Sequence, residues 1–420
     1  MRVLTLLWII VIHSYNFSFQ WVHFDNTQQV KDIYTSLWTQ WIANGTFSVD
    51  NFLLVSGLLA SMRSIRADHP DNVVKSIVRR YARLVPSMVA AILISKYLLQ
   101  NMGSGPNWTN ATVMFDLWCR QNKWVLNSLG LHNFISTSDM CFSHSWYIAV
   151  ELQLFVIVQL LQYLLLNRLS IGLRNFCFSL IAFCICSQSY VSFLIYLFDL
   201  PPMPLLPANS DTAMNEYYGR LYIKPFYWLA SYTSGVILGH ILSHQLALRT
   251  SKESHTVRGR TNKLISCTRR LNLHLPNVCL LVLVILLTSN LSYFRSKQPM
   301  DTTVAASYAF FVRPLWSISM CMIIYRMQRR REKLNWLRRL RSFLSRPMWC
   351  SLNQLSYAAY LLHPIVMAWF YGSRTETFVM THGLLFHFAI GNIVSTYLAA
   401  LLFYLLIELP LNRTFKLLIP

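Results

Sequence analysis

The sequence predicts an all-α, polytopic membrane protein with about ten transmembrane helices and both termini in the cytoplasm. Three observations carry this. The 420 residues are 54% hydrophobic and only 13% charged, against about 25% charged in soluble domains. Apolar stretches long enough to span a bilayer recur along the whole chain. The basic residues are also sorted by connection: Arg2 and every second connection hold 27 of the 37 Lys and Arg, and the intervening connections hold 8. That asymmetry is the positive-inside signature. The net charge of +21 therefore encodes orientation, and no nucleic-acid partner is expected.

In order, the spans are expected near residues 3–22, 46–62, 84–100, 146–166, 175–198, 225–243, 277–294, 304–325, 350–371 and 384–407, the second being the shortest. The first has Arg2 at its mouth and His13 within it. Eleven steps at about 100° and 1.5 Å per residue return a helix to nearly the same face roughly 16 Å further along. A cation and an imidazole thus stand in line on one helix. An ionisable residue inside hydrocarbon is costly and marks a substrate or proton path, and His titrates near neutral pH. A histidine satisfied by a neighbouring helix is the plainer alternative. Arg2 and the apolar run after it also fit the opening of a signal peptide, but the stretch from His13 to Gln20 offers no clear small-residue cleavage site.

Asp50 opens the second span. Ahead of the third, Arg79 and Arg83 stand four apart and Arg80 and Arg83 three apart, so one helical turn gathers their guanidiniums. Arg grips phosphate oxygens bidentately, which suits a nucleotide-like carrier arriving from the cytosol; anchoring beside anionic lipid is the alternative. His144 and Ser145 mark the start of the fourth span, with Glu151 about one and a half turns in. Arg313 lies near the middle of the eighth, where facing lipid would cost about 3 kcal/mol or more. It is therefore expected to turn inward to Glu151 or Asp50, either in a substrate site or as an internal ion pair that holds helices in register. In the ninth span His363 precedes Pro364, whose missing N–H leaves a carbonyl for an imidazole to satisfy. Both a structural and a catalytic role stand open there.

The connections poor in Lys and Arg should face a lumen or the exterior. Glycosylation sequons at Asn44, Asn107 and Asn110 lie in them. Of nine cysteines, only Cys119 and Cys141 do, which makes them the natural disulfide. The longest connections, about 100–145 and 244–276, are too short and too polar to fold a sizeable core alone. Residues 1–420 therefore read as a single domain. The sequence shows no Gly-rich phosphate loop, metal-ligand cluster or Ser-His-Asp order, so no metal and no permanently bound cofactor is expected.

Eight segments in this order resemble the membrane acyltransferase-3 family, in particular its animal branch called nose resistant to fluoxetine. They are Arg2 to His13 with Trp8-Ile-Ile-Val-Ile-His, Val49-Asp-Asn-Phe-Leu-Leu-Val-Ser-Gly, Arg80-Tyr-Ala-Arg-Leu-Val-Pro, and Cys141-Phe-Ser-His-Ser-Trp-Tyr-Ile-Ala-Val-Glu-Leu-Gln. Lys224-Pro with Tyr232, Arg313 with Trp316, Ser356-Tyr-Ala-Ala-Tyr-Leu-Leu-His-Pro and Glu408-Leu-Pro follow. The resemblance covers essentially the whole chain. It departs at Trp228, where this branch usually has a basic residue, and at Glu151, which replaces a commoner aspartate.

The resemblance implies an acyltransferase that moves groups other than amino-acyl groups, from a cytosolic acyl-CoA to a hydroxyl or amine on a membrane-associated or extracytoplasmic acceptor. Acyl-CoA is then a donor substrate, the acceptor a lipid or extracytoplasmic molecule, and the location a plasma membrane or endomembrane. His13, Arg2 and His363 are the expected catalytic residues. Arg79, Arg80, Arg83, Asp50, Ser145, Glu151 and Arg313 are the expected donor- or substrate-binding residues. Members of this branch commonly carry an extracytoplasmic cysteine-containing domain and a further span before the segment that begins here at Arg2, so the resemblance also implies a fragment, an incomplete gene model or an isoform. A lipid or small-molecule transporter that uses the same buried charges as a translocation path is the alternative function.

Overall fold

A computed structural model of the chain describes residues 1–66, 73–204, 211–250, 274–295, 300–329 and 332–418. Each expected apolar stretch forms a helix: α1 (Arg2–Trp21), α2 (Phe47–Arg66), α3 (Val73–Tyr97), α4 (Trp146–Gln162), α5 (Leu173–Phe198), α6 (Pro225–Thr250), α7 (Leu275–Thr288), α8 (Thr302–Met327), α9 (Ser356–Gly372) and α10 (His382–Phe403). The last continues through a π-helical turn, Tyr404–Glu408, into Leu409–Leu418. Among the described residues the only strand-like pairing is an isolated bridge between Phe24 and Phe378.

Among the described residues seven helical stretches are long and apolar enough to cross a membrane, or eight if Leu37–Ala43 and Phe47–Arg63, bent by 50°, form one span. The sequence count was ten, and the shortfall has a physical cause. α9 is only 17 residues long. α6 is long, but Ser231, Thr233, His240 and Ser243 interrupt its apolar character, and all four are buried. Their burial follows from how α6 meets α2. A methyl added at Gly57 would strike the Tyr232 carbonyl, and one at Gly235 the Leu54 carbonyl. Where lipid offers no hydrophobic gradient between helices, this backbone-to-backbone approach at small residues is what holds them together.

Three apolar clusters organise the rest. One joins α1, α3, α9 and α10 through Leu6, Ile10, Ile92, Leu361 and Phe388. A second joins α4, α5 and α6 through Leu154, Leu180 and Trp228, and a third joins α2, α7 and α8 through Leu54, Leu283 and Trp316. The connection between α3 and α4 folds into short helical turns closed by a Cys119–Cys141 disulfide. Within it Asn127 donates to the Cys141 carbonyl at 2.9 Å. Gly130 ends the turn at φ 67°, the left-handed region that glycine enters without strain.

Candidate active site

Packing α1 against α9 brings His13 to His363, 350 positions away. Their Nδ1 and Nε2 atoms lie 2.8 Å apart and the rings stack at 5.0 Å. His363 is fully buried, and its Nδ1 lies 2.7 Å from the Tyr360 carbonyl. That carbonyl is the one Pro364 deprives of its helical partner, since an i to i−4 bond from residue 364 would end on residue 360. The hydrogen bonds therefore fix the tautomers. His363 Nδ1–H donates to Tyr360, so Nε2 carries a lone pair; His13 Nδ1–H donates to that lone pair, so His13 Nε2 is left as a base.

His13 lines a cavity of about 330 Å³ together with His144, Trp146, Tyr147, Tyr360 and Asn16. His144 is buried; its Nε2 lies 3.2 Å from the Leu361 carbonyl, its Nδ1 has no partner, and its ring stands 5.9 Å from that of His363. Tyr360 reaches across to the His144 carbonyl at 2.5 Å. Three imidazoles thus meet at one depth beside a space of ligand size.

The basic residues gather at the other end of α1. Arg2, Arg80 and Arg83 lie within electrostatic reach of one another, with Arg63 near Arg2. Glu151 pairs with Arg80. It accepts from Arg80 Nε at 3.3 Å and from Ser56 Oγ at 2.6 Å, while Arg80 Nη2 closes the ion pair and also donates to Ser56 at 2.6 Å. Arg79 and Arg83 are exposed. Tyr147 joins the two ends, because it lines the cavity and its hydroxyl lies in the field of Arg2 and Arg80.

Of the two acceptors expected for Arg313, Asp50 is the one it meets. Nη1 lies 2.6 Å from Asp50 Oδ2 and Nη2 2.5 Å from the Tyr227 hydroxyl, and the guanidinium stacks 4.0 Å over Tyr227 and 4.2 Å over Trp228. Asp50 also accepts from Ser231 at 2.5 Å. Both charges are buried, at 1% and 0% exposure, and neither lines the cavity. Glu151 and Ser145 do not line it either. Ser145 faces His132, with Oγ 2.9 Å from Nε2, but it is fully buried and its hydroxyl is also 2.7 Å from the Phe142 carbonyl. That pair holds the start of α4 rather than facing a substrate.

The Asn44 sequon is corrected by its surroundings. Asn44 is fully buried, donating to the Leu287 carbonyl at 2.8 Å and accepting from Asn290 at 2.6 Å, so a glycan has no room there. Asn107 is half-buried with its amide on the Trp21 carbonyl at 3.0 Å, whereas Asn110 is exposed. His144, Tyr147 and Ser56 are the residues that sequence reasoning passed over as site members. Only the string His144-Ser-Trp-Tyr pointed toward the first two.

With this geometry in place, comparison with known proteins decides the family. The acyltransferase-3 family model, described as an acyltransferase domain, matches residues 1–406. The chain belongs to the acyltransferase-3 family. It is similar to Nose resistant to fluoxetine protein 6 of Caenorhabditis elegans, 22% identical over 439 residues that cover 98% of this chain and 50% of that protein. It is also similar to Regulator of hypoxia-inducible factor 1 of the same organism, 23% identical over 398 residues covering 89% of this chain and 70% of that protein. The chain thus spans about half the length of the first of these relatives. No solved structure matches it. As an acyltransferase-3 member with helices able to span a bilayer, it is an integral membrane protein.

Proposed function

We propose that this chain transfers an acyl group from cytosolic acyl-CoA to a hydroxyl or amine on a membrane-associated or extracytoplasmic acceptor. The observation that carries the reading is the chain from the Tyr360 carbonyl through His363 to His13, which leaves one imidazole lone pair beside a cavity. Arg2 lies on the same helix, roughly 16 Å along its axis from His13, within a cluster of guanidiniums suited to the donor's phosphates.

In this mechanism His13 Nε2 removes the proton from the acceptor hydroxyl or amine as its oxygen or nitrogen attacks the thioester carbonyl. The tetrahedral intermediate collapses with cleavage of the C–S bond. His13 then returns the proton to the departing thiolate, giving the free thiol of CoA and the acylated acceptor. His363 helps by accepting from His13 Nδ1–H, which stabilises the imidazolium while it lasts. The pantetheine arm passes Tyr147, the residue shared by the basic end and the cavity.

His13→Ala should abolish transfer and leave acyl-CoA binding intact, because a lost general base removes a rate factor of about a hundred or more. Arg83→Ala should instead weaken donor binding about tenfold or more, since a charge-assisted hydrogen bond contributes some 1.5 to 3 kcal/mol. A His13→Ala protein with full transferase activity would sink the mechanism. A wild-type protein that transfers nothing yet moves lipid between leaflets would replace it with the transport reading.

A further inference from the structure

A second cavity, sharing no lining residue with the first, lies between α5, α6 and α8. It measures about 580 Å³ and is almost wholly apolar, with Ile185, Ile237, Phe310 and Ile318 in its walls. Its rim carries exposed apolar side chains, among them Ile185 at 52%, Phe311 at 57% and Ile318 at 54% exposure, so in a bilayer it opens to lipid. Its few polar lining residues are Gln188, Thr233, Ser234 and Tyr325, and the first of these stands out. Gln188 is 1% exposed, and both its Oε1 and its Nε2 lack a hydrogen-bond partner.

Leaving a buried amide unsatisfied forfeits its hydration without return, so one placed in an apolar groove calls for a ligand that supplies both a donor and an acceptor. Position narrows the chemistry. Gln188 is the last of the α5 residues in the wall, while Thr233 and Phe310 are the first from α6 and α8. As successive helices alternate in direction, these three mark one end of the groove. From there the α8 wall runs from Phe310 to Tyr325, about 22 Å at 1.5 Å per residue. The groove is therefore a long, mainly apolar corridor with the unsatisfied Gln188 amide at one end, where the Thr233 hydroxyl already donates to the Leu229 carbonyl at 2.8 Å, and with the Tyr325 hydroxyl, which accepts from Gln245 at 2.8 Å, at the other. A carboxylic acid answers both amide atoms at once, its O–H donating to Oε1 and its C=O accepting from Nε2, and low-dielectric surroundings keep it neutral. A hydroxyl offers one oxygen for two amide atoms and fits less well.

We propose that this groove binds an unesterified long-chain fatty acid, its neutral carboxyl paired with the Gln188 amide and its chain laid along α8. The proposal is independent of the transferase reading. The test uses an alkynyl, diazirine-bearing palmitic acid with the purified chain in phosphatidylcholine nanodiscs. Crosslinking should saturate, map to α5 and α8 wall residues, and be displaced by palmitic acid but not by methyl palmitate, which lacks the O–H donor. Gln188→Leu should weaken displacement by palmitic acid about tenfold, while its melting temperature without ligand stays the same or rises, because the substitution removes an unsatisfied amide. Ile318→Trp, at an exposed rim position, should block labelling without disturbing the fold and so gives a second arm should Gln188→Leu misfold. Equal displacement by acid and methyl ester, undiminished binding in both variants, or saturation of the groove by a photoreactive sterol in place of the fatty acid would each overturn the assignment.

Discussion

Removing Arg313 should destabilise the protein through what it leaves behind. The guanidinium is 1% exposed and Asp50 is 0% exposed, and the two meet at 2.6 Å. In Arg313→Met the apolar replacement fills the space beside Trp228, but the Asp50 carboxylate keeps only Ser231 at 2.5 Å. Breaking a buried pair by removing one partner costs about 3 to 5 kcal/mol. Replacing both charges by neutral groups of similar volume is often nearly neutral, so Asp50→Asn in the Arg313→Met background should recover most of the loss. Arg313→Lys should fall between, because an ammonium keeps the charge but loses the second bond to Tyr227 and the planar stacking on Tyr227 and Trp228. Folded yield by size-exclusion chromatography and the melting midpoint of detergent-solubilised protein measure the cycle. The reasoning fails if Arg313→Met leaves stability unchanged, or if the added Asp50→Asn deepens the loss instead of relieving it.

Three further outcomes follow from the same structure. Pro364→Ala should return an N–H to the Tyr360 carbonyl in competition with His363, so acyl transfer should drop at least about tenfold while the melting temperature holds or rises; unchanged activity would separate His363 from catalysis. Burial in the α3–α4 connection holds the His132 imidazole down to about 4, below its usual 6.5, so the folded state takes up that proton later than the unfolded chain. The stability His132 contributes is then complete above pH 6.5 and lost as pH falls toward 4, by about 2 kcal/mol at pH 5; His132→Gln should flatten the melting-temperature profile across that window. Asn110→Gln should sharpen or shift the electrophoretic band of protein made in secretory membranes, whereas Asn44→Gln should not, because Asn44 is enclosed by Leu287 and Asn290.

The helical, membrane-spanning architecture was legible because it is written locally. Spanning length, apolar composition and the alternation of basic connections are properties of contiguous residues, and every expected stretch became a helix. The alignment of Arg2 with His13 was legible for the same reason, since helical periodicity alone fixes it. So was the carbonyl opened by Pro364, which lies within one turn of His363. The count of spans was less secure: α6 and α9 owe their place to contacts with other helices, and composition does not record those contacts.

What only the tertiary structure decided is which distant groups meet. From sequence, Glu151 and Asp50 were equivalent acceptors for Arg313, being carboxylates on different spans. The packing of α8 against α2 and α6 gives Asp50 to Arg313, and the approach of α3 to α4 gives Glu151 to Arg80. In the sequence His144 only marks the start of the fourth span, and the packing of α9 sets it beside His363; Asn44 is a sequon in an outward-facing connection, and α7 covers it. Each of these contacts joins residues tens to hundreds of positions apart, and its partner is chosen by side-chain volume and close backbone approach, which no local pattern of residues encodes.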